Sequence, residues 1–267
     1  MALSDLEDLG ILVGITAFSI VIVSFVTGLS FIVRSRDERK IDPQRFLTGA
    51  GIIGLGAPWL GGMAQFLAIV LTDEPLDLKL QVYISIWGPP LAGFCFIYLV
   101  LSLVKPEWKY YGLAVIGIIN VIFLAFTYIL LPGAKTETSV ENGKEITVAE
   151  GIVEFTVSDE SGLPDHRLIG IPGLLVIIYV LALIFVVGGV FLWVSIRTHA
   201  PEIAWKARLV GISCVLYGVF TPIDAFLVDN PFVVLIARST IVCTFLLIAL
   251  GYTLPNWFRT RMGIPLS

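Results

Sequence analysis

Charge is scarce in this sequence. Only 14% of its 267 residues are Asp, Glu, Lys or Arg, while 57% are hydrophobic and the mean hydropathy is +0.93. Soluble domains carry about a quarter charged residues, so these proportions exclude a soluble globular domain and place the chain in a bilayer. Cysteine is almost lacking: Cys95, Cys214 and Cys243 all fall within apolar runs, and they form neither a disulfide framework nor a CxxC metal pair. His166 and His199 both lie outside those runs, which leaves no imidazole in the bilayer for haem or a transition metal. Lysine is missing from mid-membrane too. Lys40, Lys79, Lys105, Lys109, Lys135, Lys144 and Lys206 sit in loops or at boundaries, so a retinal Schiff base has no anchor. The sequence holds no HExxH, no GxSxG, no phosphate-binding glycine loop and no paired intramembrane aspartate, which removes metalloprotease, serine hydrolase and nucleotide hydrolase readings. No enzymatic activity, cofactor, metal or nucleic-acid partner is expected.

Long apolar runs are what the chain has instead. Crossing hydrocarbon takes roughly 20 apolar residues per helix, and seven stretches qualify, at about 9–33, 46–71, 80–104, 110–132, 170–196, 207–228 and 231–254. Runs as continuous as "LLVIIYVLALIFVVGGVFLWV" exclude a β-barrel, whose strands alternate. The fold class predicted is an all-α membrane protein, a single seven-transmembrane-helix bundle.

Bases in short loops set the orientation. Arg34, Arg36, Arg39, Lys40 and Arg45 follow the first span, Lys105 and Lys109 the third, Arg197, Lys206 and Arg208 the fifth, and Arg259 and Arg261 the seventh. All fall on one side of seven crossings. The other side holds acid-rich "MALSDLEDLG", "TDEPLDLK" and "DN". The chain is thus read as a multi-pass protein of the cell membrane, with its N-terminus and the 133–169 loop extracytoplasmic and its C-terminus cytoplasmic. The first span is too long for a signal-peptide core and lacks a cleavage site, so it is expected to stay as an anchor. In the 133–169 loop, Asn142-Gly143 predicts a type I′ turn and a small extracellular β-hairpin, with "IVEFTVS" as a third strand.

The ends of spans three and seven, "CFIYLVLSLVKPEWK" and "CTFLLIALGYTLPNWFR", suggest a 3+1+3 helix repeat of the kind found in parallel-repeat transporters. Proline, tryptophan and bases also suit any inner boundary without duplication. Pro58, Pro89-Pro90 and Pro222 fall inside spans two, three and six, where each is expected to kink its helix.

The stretch "TPIDAFLVDNPFVVLIARS", residues 221–239, puts Asp224 and Arg238 inside apolar runs. At 1.5 Å per residue they lie roughly 7 and 10 Å below the same boundary, on antiparallel neighbours, so an intramembrane ion pair is predicted. An unpaired charge there costs on the order of 2.5–3.5 kcal/mol. Tyr217 shares the Asp224 face, and Gln65, Gln81, Tyr83 and Trp87 occupy the same half of the membrane. Asp224, Arg238, Gln65, Tyr83, Trp87 and Tyr217 are therefore the candidate ligand-binding or ion-pair residues. The plainer alternative is a lock between two helices, or a snorkelling arginine. Trp59 reads first as a packing residue and Asn120 as an interhelical hydrogen-bond donor.

Three functions follow. The topology resembles receptor bundles, opsins and the heptahelical sensory regions of some prokaryotic kinases, a likeness of topology alone. It implies a heptahelical sensor or receptor-like protein taking a small-molecule ligand from outside and a cytoplasmic signalling partner, with the lipid bilayer around it. The alternatives are a secondary transporter or channel, and a structural subunit of a membrane complex.

Overall fold

The structure, a computed structural model, describes residues 8–37, 40–141, 144–149, 152–157, 164–226 and 230–264. Seven helices are long and apolar enough to cross a membrane: Gly10–Arg34, Pro43–Thr72, Leu78–Val104, Pro106–Gly133, Gly170–Arg197, Pro201–Ala225 and Phe232–Thr253, hereafter spans 1 to 7. A helix satisfies its own backbone, which hydrocarbon cannot do. Span starts carry explicit signals: Asp42, Asp77 and Asn230 accept from the first free N–H groups of spans 2, 3 and 7, and Pro43 and Pro231 occupy first-turn positions. Span 6 begins at Pro201, earlier than the apolar run at 207. Its first turns are polar but helical, because Glu202 pairs with Lys206 one turn on at 2.6 Å.

Two ends can be told apart by their contacts. At the basic end Thr48 and Tyr252 join spans 2 and 7 through their hydroxyls at 2.8 Å, and Arg259 reaches Glu202 at 2.9 Å. At the other end the span 4–5 connection forms an antiparallel sheet in the order β3 (Thr136–Glu141), β4 (Lys144–Ala149), β5 (Val153–Val157), β6 (Pro164–Leu168). Short strands β1 (Arg36–Asp37) and β2 (Lys40–Ile41) pair between spans 1 and 2. The Asn142-Gly143 turn lies outside the described residues. Strand β6, "PDHRL", goes beyond the hairpin or three strands expected; its polar sequence pairs Arg167 with Glu154 and His166 with Phe155. Ala149, Ile152 and Val153 root the sheet among spans 3, 4 and 5, and the Ile169 N–H donates to Ile152 O at 2.9 Å. Lys79 donates to the carbonyls of Pro132 and Ala134, both at 3.3 Å, where the C-terminal end of span 4 favours a cation.

The main core draws on six spans, with Ile20, Leu55, Phe96, Val187, Tyr217 and Phe245 as one contribution from each of spans 1, 2, 3, 5, 6 and 7. Span 4 instead joins a second core beside the sheet, through Ile116 and Phe123. Spans 4 and 5 are the most lipid-exposed, with 17% and 22% of their central windows buried against 39–50% in the other five. Each contains a π-helical segment, Ala125–Leu130 and Ala182–Gly188, a rare geometry enriched at functional sites.

Glycine brings spans 2 and 3 into backbone contact. A Cβ on Gly88 would lie 2.4 Å from Gly54 O, whereas one on Gly117 of span 4 would meet nothing within 4 Å. Gly88→Ala is therefore expected to cost about 1–3 kcal/mol through overpacking and to lower the thermal midpoint in detergent. Gly117→Ala should leave that midpoint unchanged or slightly raised; equal losses in the two variants would contradict the crossing.

Candidate functional site

Two prolines prepare the site. Pro58 has no N–H to give Gly54 O, and span 2 tightens into a 3-10 turn at Ala57–Trp59. Pro222 likewise leaves Gly218 O without its ordinary helical donor in span 6. Trp59 directly follows the first proline, and Asp224 lies two residues past the second.

Asp224 and Arg238 are 6% and 5% exposed. Arg238 Nε donates to Asp224 Oδ1 at 2.7 Å, and Trp59 Nε1 donates to Asp224 Oδ2 at 2.9 Å. Both carboxylate oxygens are thus engaged, each in a charge-assisted bond. Arg238 Nη1 donates to Val13 O at 2.6 Å and to Thr16 Oγ1 at 3.2 Å. One carboxylate and one guanidinium therefore tie together spans 1, 2, 6 and 7. Tyr217, two turns before Asp224, donates its hydroxyl to Leu55 O at 2.6 Å and meets the Trp59 ring edge-to-face at 6.1 Å.

The contacts straddle both prolines. Leu55 and Tyr217 lie on the basic side of Pro58 and Pro222, Trp59 and Asp224 on the sheet side. Span 6 grips span 2 above and below the prolines, once through a neutral bond and once through a charged one.

The other candidates bond elsewhere. Gln65 Oε1 accepts from the Leu76 N–H at 3.0 Å, bracing the turn between spans 2 and 3, while its Nε2 is buried with no hydrogen-bond partner among the described residues. Tyr83 stacks on Tyr128 at 5.5 Å, and Trp87 Nε1 donates to Ile84 O of its own helix at 2.8 Å. Gln81 O accepts from Ser85 Oγ at 3.0 Å, and that oxygen accepts from the Gly61 N–H at 2.8 Å. Trp59, Val13 and Thr16 are the members that sequence reasoning missed. A second, neutral node joins spans 3, 4 and 5: Asn120 Nδ2 donates to Pro90 O at 3.1 Å, and the Tyr179 hydroxyl donates to Asn120 Oδ1.

Comparison with known proteins finds no family model and no curated protein that matches the chain. The chemistry of the site must speak through its own geometry.

A buried pair is far more costly to break than to replace. Arg238→Met leaves the Asp224 carboxylate uncompensated and is expected to cost about 3–5 kcal/mol. Trp59→Phe strips one acceptor of its donor, at about 1–3 kcal/mol. The double variant Asp224→Leu/Arg238→Met should be less destabilised than Arg238→Met alone, as read by unfolding in mixed micelles; additive losses would mean that the two charges do not act as a pair.

Proposed function

We propose that this chain is a heptahelical receptor-like module in which the Asp224–Arg238–Trp59 network acts as a latch across two proline-containing helices. The observation carrying this reading is the pair of ties that straddles Pro58 and Pro222. The charged tie holds the sheet-side halves of spans 2 and 6; the neutral one holds the basic-side halves. A change at Asp224 therefore acts next to a position where each helix lacks one backbone hydrogen bond, and bends the helices rather than separating them. Such a latch is the local, two-arrangement element that a switch needs.

The positive-inside rule supports a cytoplasmic basic end, with the N-terminus and the sheet outside the cell membrane. In this reading a small molecule arriving from the sheet end competes for Asp224 or Arg238, and a separate cytoplasmic protein reads the basic end. The interior argues against a transporter or channel. Ser24, Ser213 and Thr244 return their hydroxyls to carbonyls of their own helices at 2.9, 2.7 and 2.6 Å. The space between the six core spans is filled by side chains such as Leu55, Phe96 and Phe245, so no hydrophilic path crosses it among the described residues.

The test is a distance between basic ends. Spin labels at Arg45→Cys and Ile203→Cys, both exposed positions, are placed in a background with Cys243→Ser. The expected outcome is a new distance population in Trp59→Phe and Asp224→Asn. Unchanged distances with only a lower thermal midpoint would reduce the network to a structural lock and favour a subunit of a membrane complex.

A further inference from the structure

We infer that the basic end carries a ledge that binds the headgroup of an anionic phospholipid, formed by the helix Asn256–Arg261 and the first turns of span 6. Charge is segregated along the chain: residues 34–45, 105–109, 197–208 and 259–261 contain twelve bases and five acids, and the rest contains five bases and sixteen acids. A bias of that size favours an anionic leaflet at this end. The ledge is a particular structure within it.

Past span 7 the backbone turns at Leu254, which has a φ of 35°, and the short helix folds back. Arg259 fixes it by donating to Leu254 O and to Glu202 Oε1, both at 2.9 Å. Phe258 is buried edge-to-face on Trp205 at 5.7 Å, beside Leu209 and Ile264. Glu202 is also held by Lys206 at 2.6 Å. The acid of the ledge is thus consumed in anchoring it. Arg208 lies over the Trp205 ring at 4.7 Å, and Arg261 and Trp257 face outward. Among the described residues neither Arg208 nor Arg261 has a carboxylate within ion-pair distance.

A guanidinium stacked on an indole keeps its in-plane N–H fork for a phosphate oxygen pair. Other cations lie over indoles around this end, Arg197 over Trp193 at 5.7 Å and Lys105 over Trp108 at 5.5 Å. Exposed Ile203 and Trp257, at 52% and 63%, give acyl chains an apolar neighbour. Cations and apolar groups interleaved at one end of the bundle match a lipid, whose charge and tails adjoin, better than an aqueous anion or an acidic protein face. The inference is independent of the latch at Asp224.

The test uses the full chain in nanodiscs of phosphatidylcholine with increasing phosphatidylglycerol, reading retained lipid by native mass spectrometry and the thermal midpoint. Wild type should retain phosphatidylglycerol selectively and gain stability with its fraction. Arg208→Gln/Arg261→Gln should lose that selectivity by roughly thirtyfold, the scale expected for two cations at a charged surface. Arg208→Lys/Arg261→Lys should recover part of it, which shows that the ledge still folds. Arg45→Gln, whose arginine is already paired with Asp42 at 3.2 Å, should behave as wild type. Selectivity surviving in the double glutamine variant, or lost equally in Arg45→Gln, would overturn the ledge. A rise in midpoint with inorganic phosphate alone would overturn the lipid as occupant.

Discussion

Hydrocarbon offers no partner to a charge, so a carboxylate and a guanidinium inside a bundle must be satisfied by the helices around them. Asp224 and Arg238 meet that demand by drawing on Trp59, Val13 and Thr16 as well as on each other. The cost of leaving either charge alone, about 3–5 kcal/mol, is as large as that of deleting a whole core side chain. Sliding span 1 by one turn would remove Val13 O from Arg238; rotating span 2 would remove Trp59 from Asp224. The positions of spans 1, 2, 6 and 7 are therefore coupled through two side chains.

The other side of the bundle is held differently. Spans 3, 4 and 5 meet at the neutral Asn120 node, and their sheet-end core is completed by Ala149, Ile152 and Val153. Neutral hydrogen bonds contribute roughly half of what charge-assisted ones do. Spans 4 and 5 also carry the π-helical segments and expose most of their surface. Resistance to movement is thus uneven, with the charged node stiffer than the node that carries the sheet.

Much of this was legible in residue order. Apolar length located seven spans, and counting from the short Asp229-Asn230 connection put Asp224 and Arg238 at one depth. The limits were equally physical. Spans 1 and 2 lie 225 and 165 residues from their partners in the network, and no loop length says which helices adjoin around a ring. Trp59 is deep in span 2, far from Thr72, so depth counting did not gather it with Asp224. Depth did gather Gln65, Tyr83 and Trp87, whose hydrogen bonds turn to other neighbours. Strand β6 stayed hidden because "PDHRL" lacks the β-branched and aromatic residues and the apolar alternation by which a strand is read from sequence.

Span 2 also shows why a latch and a plain lock differ in kind. On one side Gly54 touches Gly88 backbone to backbone, a contact that involves no charge and that only an added side chain would force apart. On the side facing span 6 the hold is divided, with Leu55 O below Pro58 and the Trp59 indole above it. A lock needs one attachment; two attachments across a break fix an angle. Because the upper attachment alone depends on charge, loss of the carboxylate's negative charge would leave the Tyr217 hydroxyl as the one remaining tie of the two, and a single tie no longer fixes the angle between spans 2 and 6.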